Sequence, residues 1–205
     1  MKSFLLIVLI VISIFFWILI LKSSKSRNKK VREAFAKLAE KYGLGLDESN
    51  KIGPITYPLV TGVYKRRQIG IGCLAGADKN GKDSKTYIRV ECSNRNNMGF
   101  HLRKRLKTSA MAPDGSASVS MLDTEFDDKY LVTSASPNMI FPVFTFNVKY
   151  SLLQALHLGL KGEVTLNKNV LDYTEPKLIT DENSQTRIEL LMHILCDIAD
   201  ELEKN

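Results

Sequence analysis

TYIRVECS, residues 86–93, is the stretch that decides the fold, because apolar and polar side chains alternate along it without a break. Such alternation is typical of a strand that buries one face. Residues 68–74, QIGIGCL, form a second alternating run, and Asn80-Gly81 between the two runs is the commonest hairpin dipeptide. The two runs therefore predict neighbouring antiparallel strands. The side chains predicted to face the core are Ile69, Ile71, Cys73, Ile88, Val90 and Cys92.

Further short strands are predicted on both sides of this pair. Residues 59–64 form a hairpin partner for 68–74 across the turn Lys65-Arg66-Arg67. Residues 108–119, which contain Pro113-Asp114-Gly115, are predicted as an exposed loop. The other predicted strands are 99–106, 129–135, 163–166 and 170–173.

Three stretches have helical periodicity. The first covers 30–42 and stops at Gly43. The second covers 148–157, capped by Asn147, and the third covers 183–202 with its cap among Asp181, Asn183 and Ser184. Strands come in runs rather than alternating with helices, which disfavours a doubly wound α/β fold. The pattern predicts an α+β domain: a largely antiparallel sheet, flat or curled, packed by helices that include a long C-terminal one.

The N-terminus predicts a membrane anchor. Residues 4–21 read FLLIVLIVISIFFWILIL, and Ser13 is the only polar residue among them. Eighteen residues of helix span about 27 Å, close to the hydrocarbon thickness of a bilayer. A cleaved signal peptide has a shorter apolar core and a small-residue cleavage site, which this stretch lacks. The predicted organisation is an anchor at 1–21, a basic linker at 22–30 and a soluble α+β domain at 31–205.

Flanking charge predicts the orientation of the anchor. Only Lys2 and the α-amino group precede it, whereas six basic residues follow. Cytoplasmic flanks carry the excess of Lys and Arg. We therefore expect a single-pass protein of the inner (plasma) membrane, with its N-terminus outside and its domain in the cytoplasm. The six basic residues of the flank are Lys22, Lys25, Arg27, Lys29, Lys30 and Arg32.

The distribution of charge argues against a nucleic-acid partner. The net charge is +7, but residues 1–32 hold seven of the 29 Lys and Arg residues and no acid. Residues 33–205 hold the remaining 22, balanced by 22 Asp and Glu residues. A DNA-binding domain needs a basic surface of its own. The expected partners are the lipid bilayer, which the basic flank approaches, and a protein at the membrane.

The sequence offers little catalytic chemistry. His101, His157 and His193 lie far apart, and the three cysteines, an odd number, predict reduced thiols. No cofactor motif or metal-ligand spacing is present, so we predict neither. The acidic run Asp123-x-Glu125-x-Asp127-Asp128 lacks the glycine of a calcium loop and is predicted to be a solvated turn.

The chain resembles a class of bacterial membrane-anchored domains of unknown function. The resemblance in the first half rests on Phe35-x-x-Leu38-Ala39 with Gly43-Leu44, and on Gly62-x-Tyr64-Lys65 with Arg67. In the second half it rests on Asp123-x-Glu125-Phe126-Asp127-x-x-Tyr130-x-Val132 and the last two helices. It covers most of 31–205 and implies a bacterial source and no established activity, and no functional residue is carried over from it.

Three functions stay open. The leading prediction is a membrane-tethered, non-catalytic interaction module. The second is a membrane-anchored enzyme whose site assembles from dispersed residues such as Arg89, His101 and Asp127. The third is a domain that binds anionic lipid headgroups through two basic clusters. The residues of these clusters are Lys65, Arg66, Arg67, Arg103, Lys104 and Arg105.

Overall fold

The computed structural model describes residues 12–13, 26–52, 55–76, 83–105 and 117–204. The predicted anchor lies outside these ranges except for Ile12 and Ser13, which are helical. Within the described ranges, no helix is long and apolar enough to cross a membrane. The anchor therefore stays a prediction, as does the turn containing Asn80-Gly81, which also lies outside the described residues.

Eleven strands are described. They are β1 Gly45–Asp47, β2 Lys51–Ile52, β3 Ile55–Thr56, β4 Leu59–Tyr64, β5 Arg67–Leu74, β6 Lys85–Glu91, β7 Phe100–Lys104, β8 Ala117–Val119, β9 Tyr130–Ser134, β10 Glu163–Asn167 and β11 Val170–Pro176. Nine of them form one sheet in the order β1-β4-β5-β6-β11-β10-β7-β9-β8, while β2 and β3 pair separately. Every pairing in the large sheet is antiparallel. Because β1 and β8 are its edges, the sheet is open.

Helices supply the other half of the core. They are α1 at 26–42, α2 Thr124–Lys129, α3 Pro137–Ile140, a 3₁₀ turn Phe141–Val143, α4 Phe146–His157 and α5 Glu182–Lys204. The buried stripe of α5 and the apolar residues of α1 share one core with the inward face of the sheet. In the central strands β5, β6, β10 and β11, the side chains on the outward face of the sheet are mostly exposed or half-buried. The predicted α+β class, antiparallel sheet and long C-terminal helix are thus confirmed.

Several local predictions were wrong. The acidic run 123–128 is not a solvated turn, because Asp123 accepts a hydrogen bond from the Phe126 amide and begins α2. Thr145 rather than Asn147 caps α4, since its hydroxyl accepts from the Val148 amide. Residues 117–119, predicted as loop, form the edge strand β8. Helix α1 covers residues 26–42, so it begins before the predicted start at residue 30.

A buried ion pair joins three elements of the core. Glu175 on β11 is 1% exposed, and its carboxylate accepts hydrogen bonds from the Tyr173 hydroxyl at 2.7 Å and from Arg187 at 2.9 and 3.1 Å. Arg187 on α5 also donates to the carbonyl of Leu158, just after α4, at 3.0 Å. Burial, together with the nearby carboxylate, raises the pKa of Tyr173. The pair therefore fixes α5 against both β11 and the end of α4.

His193 lies where α1, α5 and β4 meet. Its Nδ1 is 3.0 Å from the Tyr64 hydroxyl and its Nε2 is 3.5 Å from the Tyr42 hydroxyl. Burial lowers the pKa of His193, and Lys65 lowers it as well. The other charged groups that act on the ring are Lys41, Glu189 and Asp197. The fold therefore favours the neutral imidazole.

This environment predicts a pH-dependent stability. The unfolded chain binds a proton at His193 near the usual pKa of about 6.5, whereas the folded chain does so only at a lower pH. The contribution of neutral His193 to the free energy of unfolding is therefore complete above about pH 6.5. It is lost as the pH falls through the lower pKa of the folded state. Urea unfolding followed by circular dichroism between neutral and acidic pH should show this loss. The His193→Gln variant should show a flatter profile, and an unchanged profile would contradict the assignment.

A candidate anion-binding groove

The first predicted basic cluster is engaged with the end of α5. Lys65 Nζ lies 2.9 Å from an Asp197 carboxylate oxygen, and the Arg67 guanidinium contacts Asp200 at 2.6 Å and Glu203 at 2.9 Å. The Arg67 side chain is 8% exposed, and its hydrogen bonds lower the pKa of Glu203. Lys65 and Arg66 have φ values of 47° and 64°, as a tight turn between β4 and β5 requires. This cluster closes the fold rather than forming an open site.

The second predicted cluster lines a groove of about 460 Å³ at the opposite end of the sheet. Arg103 and Lys104, from the end of β7, lie in its wall. Two further basic residues join them: Lys85 from the start of β6 and Lys161 from the connection between α4 and β10. Arg105 lies beside the groove, where its backbone amide donates to the Lys129 carbonyl at 2.8 Å.

Two glycines place Lys161 in the groove. Gly159 has a φ of +78° and ends α4, with its amide bonded to the Leu156 carbonyl and the Leu160 amide to the Ala155 carbonyl. This is the Schellman arrangement, which left-handed glycine favours. Leu160 then enters the core, and Gly162 crosses β11 so closely that a Cβ there would overlap the Thr174 carbonyl oxygen and the Tyr173 ring. Lys161, between these fixed points, is exposed.

The groove has a strongly basic lining. Of the described residues that line it, four are basic, and one, Glu163, is acidic. The Glu163 carboxylate lies 2.9 Å from Nε2 of His101, and Glu163 is also the cross-strand partner of Arg103 between β10 and β7. Pro176 adds exposed apolar surface, and the buried Leu160 lies beneath it. Guanidinium and ammonium groups around a small groove are the arrangement that binds phosphate or carboxylate groups.

A chain of contacts links the groove to the start of α1. The Asn28 side chain accepts a hydrogen bond from the Thr56 amide at 3.2 Å, and the next residue, Tyr57, places its hydroxyl 3.4 Å from Ser84 Oγ. Lys85, which follows directly, lines the groove. The groove and the first turn of α1 are therefore at the same end of the domain, the end at which the chain arrives from its predicted anchor.

The residues of the enzyme hypothesis do not come together. Arg89 pairs with Asp172 at 2.9 Å on the uncovered face of the sheet. His101, on β7, lies in the same register row as Arg89, on β6. Strands β11 and β10 lie between them, so Arg89 and His101 are about 14 Å apart at the usual strand spacing. Asp127 lies on α2, where its carboxylate accepts hydrogen bonds from Ser120 and from the Met121 amide.

The thiols are buried, and the described acids form no metal-ligand group. Cys73, Cys92 and Cys196 are unpaired and buried, in line with the prediction of reduced thiols. Burial raises the pKa of Cys73 to about 12 and those of Cys92 and Cys196 to about 11, so the thiolates are disfavoured. Within the described ranges, no three His, Cys, Asp or Glu side chains are grouped as metal ligands are.

Sequence reasoning found half of the groove and missed Lys85 and Lys161. These two lysines come from strands and loops far from β7 in the chain, and no local pattern marks an exposed lysine as a member of a distant cluster. A weak signal was present in Gly159 and Gly162, which bracket Lys161 in a chain that has 12 glycines.

Comparison with known proteins gives a likeness of fold. No protein-family model and no curated protein sequence matches the chain. A solved structure to which it is similar is that of the mycobacterial trehalose monomycolate transport factor A, TtfA. The TM-score is 0.52 at 11% identity, and the alignment covers 82% of this chain and 95% of that one. At this identity the likeness shows the shared fold alone.

Proposed function

We propose that this protein is a membrane-tethered, non-catalytic domain that binds anionic lipid headgroups in the groove formed by Lys85, Arg103, Lys104 and Lys161. The observation that carries the proposal is the convergence of four basic residues from three separate parts of the chain in one groove. A headgroup phosphate would meet the guanidinium of Arg103 and the ammonium groups of the three lysines. Pro176 would lie against the first carbons of the lipid.

Because the domain is tethered at the membrane, a site of low affinity is sufficient for it to bind lipid headgroups. Each basic residue near an anionic surface contributes about 1 kcal/mol, so four supply about 4 kcal/mol, equivalent to a dissociation constant of about 1 mM. A domain held at the bilayer meets headgroups at a high effective concentration, which compensates for modest intrinsic affinity. The predicted anchor at residues 4–21 and its basic flank support this placement at the cytoplasmic face of the inner membrane.

The named role of the structural neighbour is in keeping with this proposal. That protein is a transport factor for trehalose monomycolate, which is a lipid. By analogy, the present chain would have a lipid-related accessory role, and the groove is where lipid binding is tested. The enzyme alternative has less support, because Arg89, His101 and Asp127 lie in separate environments.

Charge reversal in the groove should weaken headgroup binding. The full-length protein in detergent is titrated with glycerol 3-phosphate, a soluble headgroup, and binding is followed by ³¹P NMR. We expect a dissociation constant of about 1 mM, raised about tenfold or more in Lys85→Glu/Lys161→Glu, because two attractive charges become repulsive. High salt should weaken binding in the same direction.

Lys168→Glu is the matched control for this experiment. Lys168 is exposed in the turn between β10 and β11, at the far end of the sheet from the groove. Its reversal lowers the net charge by half as much as the double variant does and should leave binding unaltered. An equal loss in this control, or an unshifted phosphorus signal for the native chain, would refute the headgroup site.

A further inference from the structure

The outward face of the sheet carries apolar side chains directly beside the groove. Leu74, at the end of β5, is 48% exposed, and its cross-strand partner on β6 is Lys85, a residue of the groove. On its other side, Lys85 pairs with the exposed Pro176 at the end of β11. Tyr87, two residues along β6 from Lys85, is half-buried on the same face. We call Leu74, Tyr87 and Pro176 the apolar ledge.

A glycine allows the Tyr87 ring to lie across the sheet. A Cβ at Gly72 on β5 would be 2.5 Å from the Tyr87 hydroxyl and 2.6 Å from a ring carbon, so the ring occupies the space that a side chain would fill. Arg89, whose guanidinium carbon lies 6.0 Å from the ring centroid, is paired with Asp172 and adds no net charge. Thr174, the cross-strand partner of Tyr87, lines the groove. The ledge and the groove are therefore continuous.

Lys177, which follows Pro176, is held in a strained conformation next to the ledge. Its φ of 105° is one that residues other than glycine rarely adopt. Its amide donates to the Ser84 carbonyl at 3.1 Å, and its carbonyl accepts from the Thr86 hydroxyl at 2.8 Å. These two bonds hold Lys177 beside Lys85, and both lysines are exposed. Backbone strain that neighbouring contacts enforce is concentrated at functional sites, so it supports a role for this end of the sheet.

The charge next to the ledge favours an anionic surface. Lys177 and the four basic residues of the groove adjoin it, whereas the described acids of the groove and of the chain directly before Lys85 are Glu163 and Asp83. Exposed apolar side chains among basic ones are typical of protein surfaces that lie in the interface of an anionic bilayer. Tyrosine suits this position because its ring is apolar and its hydroxyl is polar. Charge and apolar surface therefore favour the same occupant.

The predicted anchor brings this end of the sheet close to the bilayer. The five residue steps from Leu21, the end of the predicted anchor, to Ser26 in α1 span at most about 18 Å. The first turn of α1 is at the end of the domain where Lys85 lies, as the contacts of Asn28 and Tyr57 show. Because Lys85 pairs with both Leu74 and Pro176, the ledge is at this anchored end as well.

We propose that the apolar ledge enters the interface of an anionic bilayer and lies against the acyl carbons next to the headgroup that the groove binds. The inference rests on the proposed headgroup site and adds to it. The ligand is then a lipid that remains in its bilayer rather than a soluble phosphate ester, because only a lipid presents phosphate and hydrocarbon side by side. Apolar contact and attraction between charges act together in such binding.

Fluorescence quenching by lipids with brominated acyl chains tests this. The fluorophore NBD is attached at Leu74→Cys or at Val63→Cys in the full-length protein, in nanodiscs that contain phosphatidylglycerol. Val63 is the matched control, because it is 63% exposed on the same face of the sheet but at the opposite end, near the turn between β4 and β5. Bromine in the hydrocarbon quenches on contact, so we expect quenching at position 74 to be about threefold stronger or more than at position 63.

Titration of the same labelled proteins with glycerol 3-phosphate separates the ledge from the groove. Both labelled positions are exposed and neither lines the groove, so the circular dichroism spectrum and glycerol 3-phosphate binding should be those of the native chain. Binding of glycerol 3-phosphate with no acyl-chain quenching at position 74, or with equal quenching at 74 and 63, would overturn the ledge and leave the groove. Quenching at 74 in a chain that does not bind glycerol 3-phosphate would refute the groove and retain the ledge as a bilayer contact.

Discussion

Replacing Glu175 by leucine should lower the free energy of unfolding by about 3–5 kcal/mol. The change leaves the Arg187 guanidinium inside the core without its carboxylate and removes the acceptor of the Tyr173 hydroxyl. An uncompensated charge in the interior costs more than the pair itself contributes. Urea unfolding of the full-length protein in detergent, followed by far-ultraviolet circular dichroism, measures the effect.

The double variant Glu175→Leu/Arg187→Leu is the informative control. It removes both charges, so it should recover about 2 kcal/mol or more of the loss. The Leu158 carbonyl loses its Arg187 donor and the Tyr173 hydroxyl loses its Glu175 acceptor, which limits the recovery. If the single variant costs under about 1 kcal/mol, or the double variant is no better than the single one, the pair is not the buried, mutually dependent contact described above.

Gly162→Val should destabilise the domain by about 3 kcal/mol, at the upper end of the range for overpacking. The added side chain meets the backbone carbonyl of Thr174 and the fully buried Tyr173 ring, neither of which can move freely. The connection after α4 must then lift away from β11, and Lys161 moves with it. Headgroup binding should weaken in parallel with stability.

Gly99→Ala is the matched control for this substitution. A Cβ at Gly99 would have its nearest neighbour, the Leu166 carbonyl oxygen, at 3.6 Å, an ordinary contact. The variant should unfold within about 1 kcal/mol of the native chain. Equal losses at the two positions would mean that close approach at Gly162 is not what the fold depends on.

The sequence predicted the elements in which a regular pattern of apolar and polar side chains extends over many residues. The alternation along 86–91 and the apolar stripe of α5 extend over enough residues to identify β6 and the C-terminal helix. By contrast, β1, β2 and β3 are two or three residues long, too short for a period to be visible. Helix α2 has Phe126 as its one buried residue, so its acidic pattern looked like a turn.

Strand order and the groove depended on contacts between distant parts of the chain. β11 pairs with β6, and β7 lies between β10 and β9, arrangements that local periodicity does not encode. Local sequence also does not distinguish the roles of the two basic clusters, which look alike in sequence. Asp197, Asp200 and Glu203, which α5 brings to Lys65 and Arg67, give the first cluster its structural role, whereas Arg103 and Lys104 line the groove.

The most direct test of the account asks which end of the domain meets lipid headgroups. A fluorophore is attached at Lys161→Cys, in the groove, or at Lys168→Cys, at the far end, in the full-length protein in lipid nanodiscs. The native cysteines are buried with raised pKa values and should label slowly. Lipids with a headgroup spin label quench the fluorophore on contact. We predict stronger quenching at position 161 than at 168, increased further when the disc contains anionic phosphatidylglycerol. Equal quenching at both positions, or stronger quenching at 168, would contradict the account.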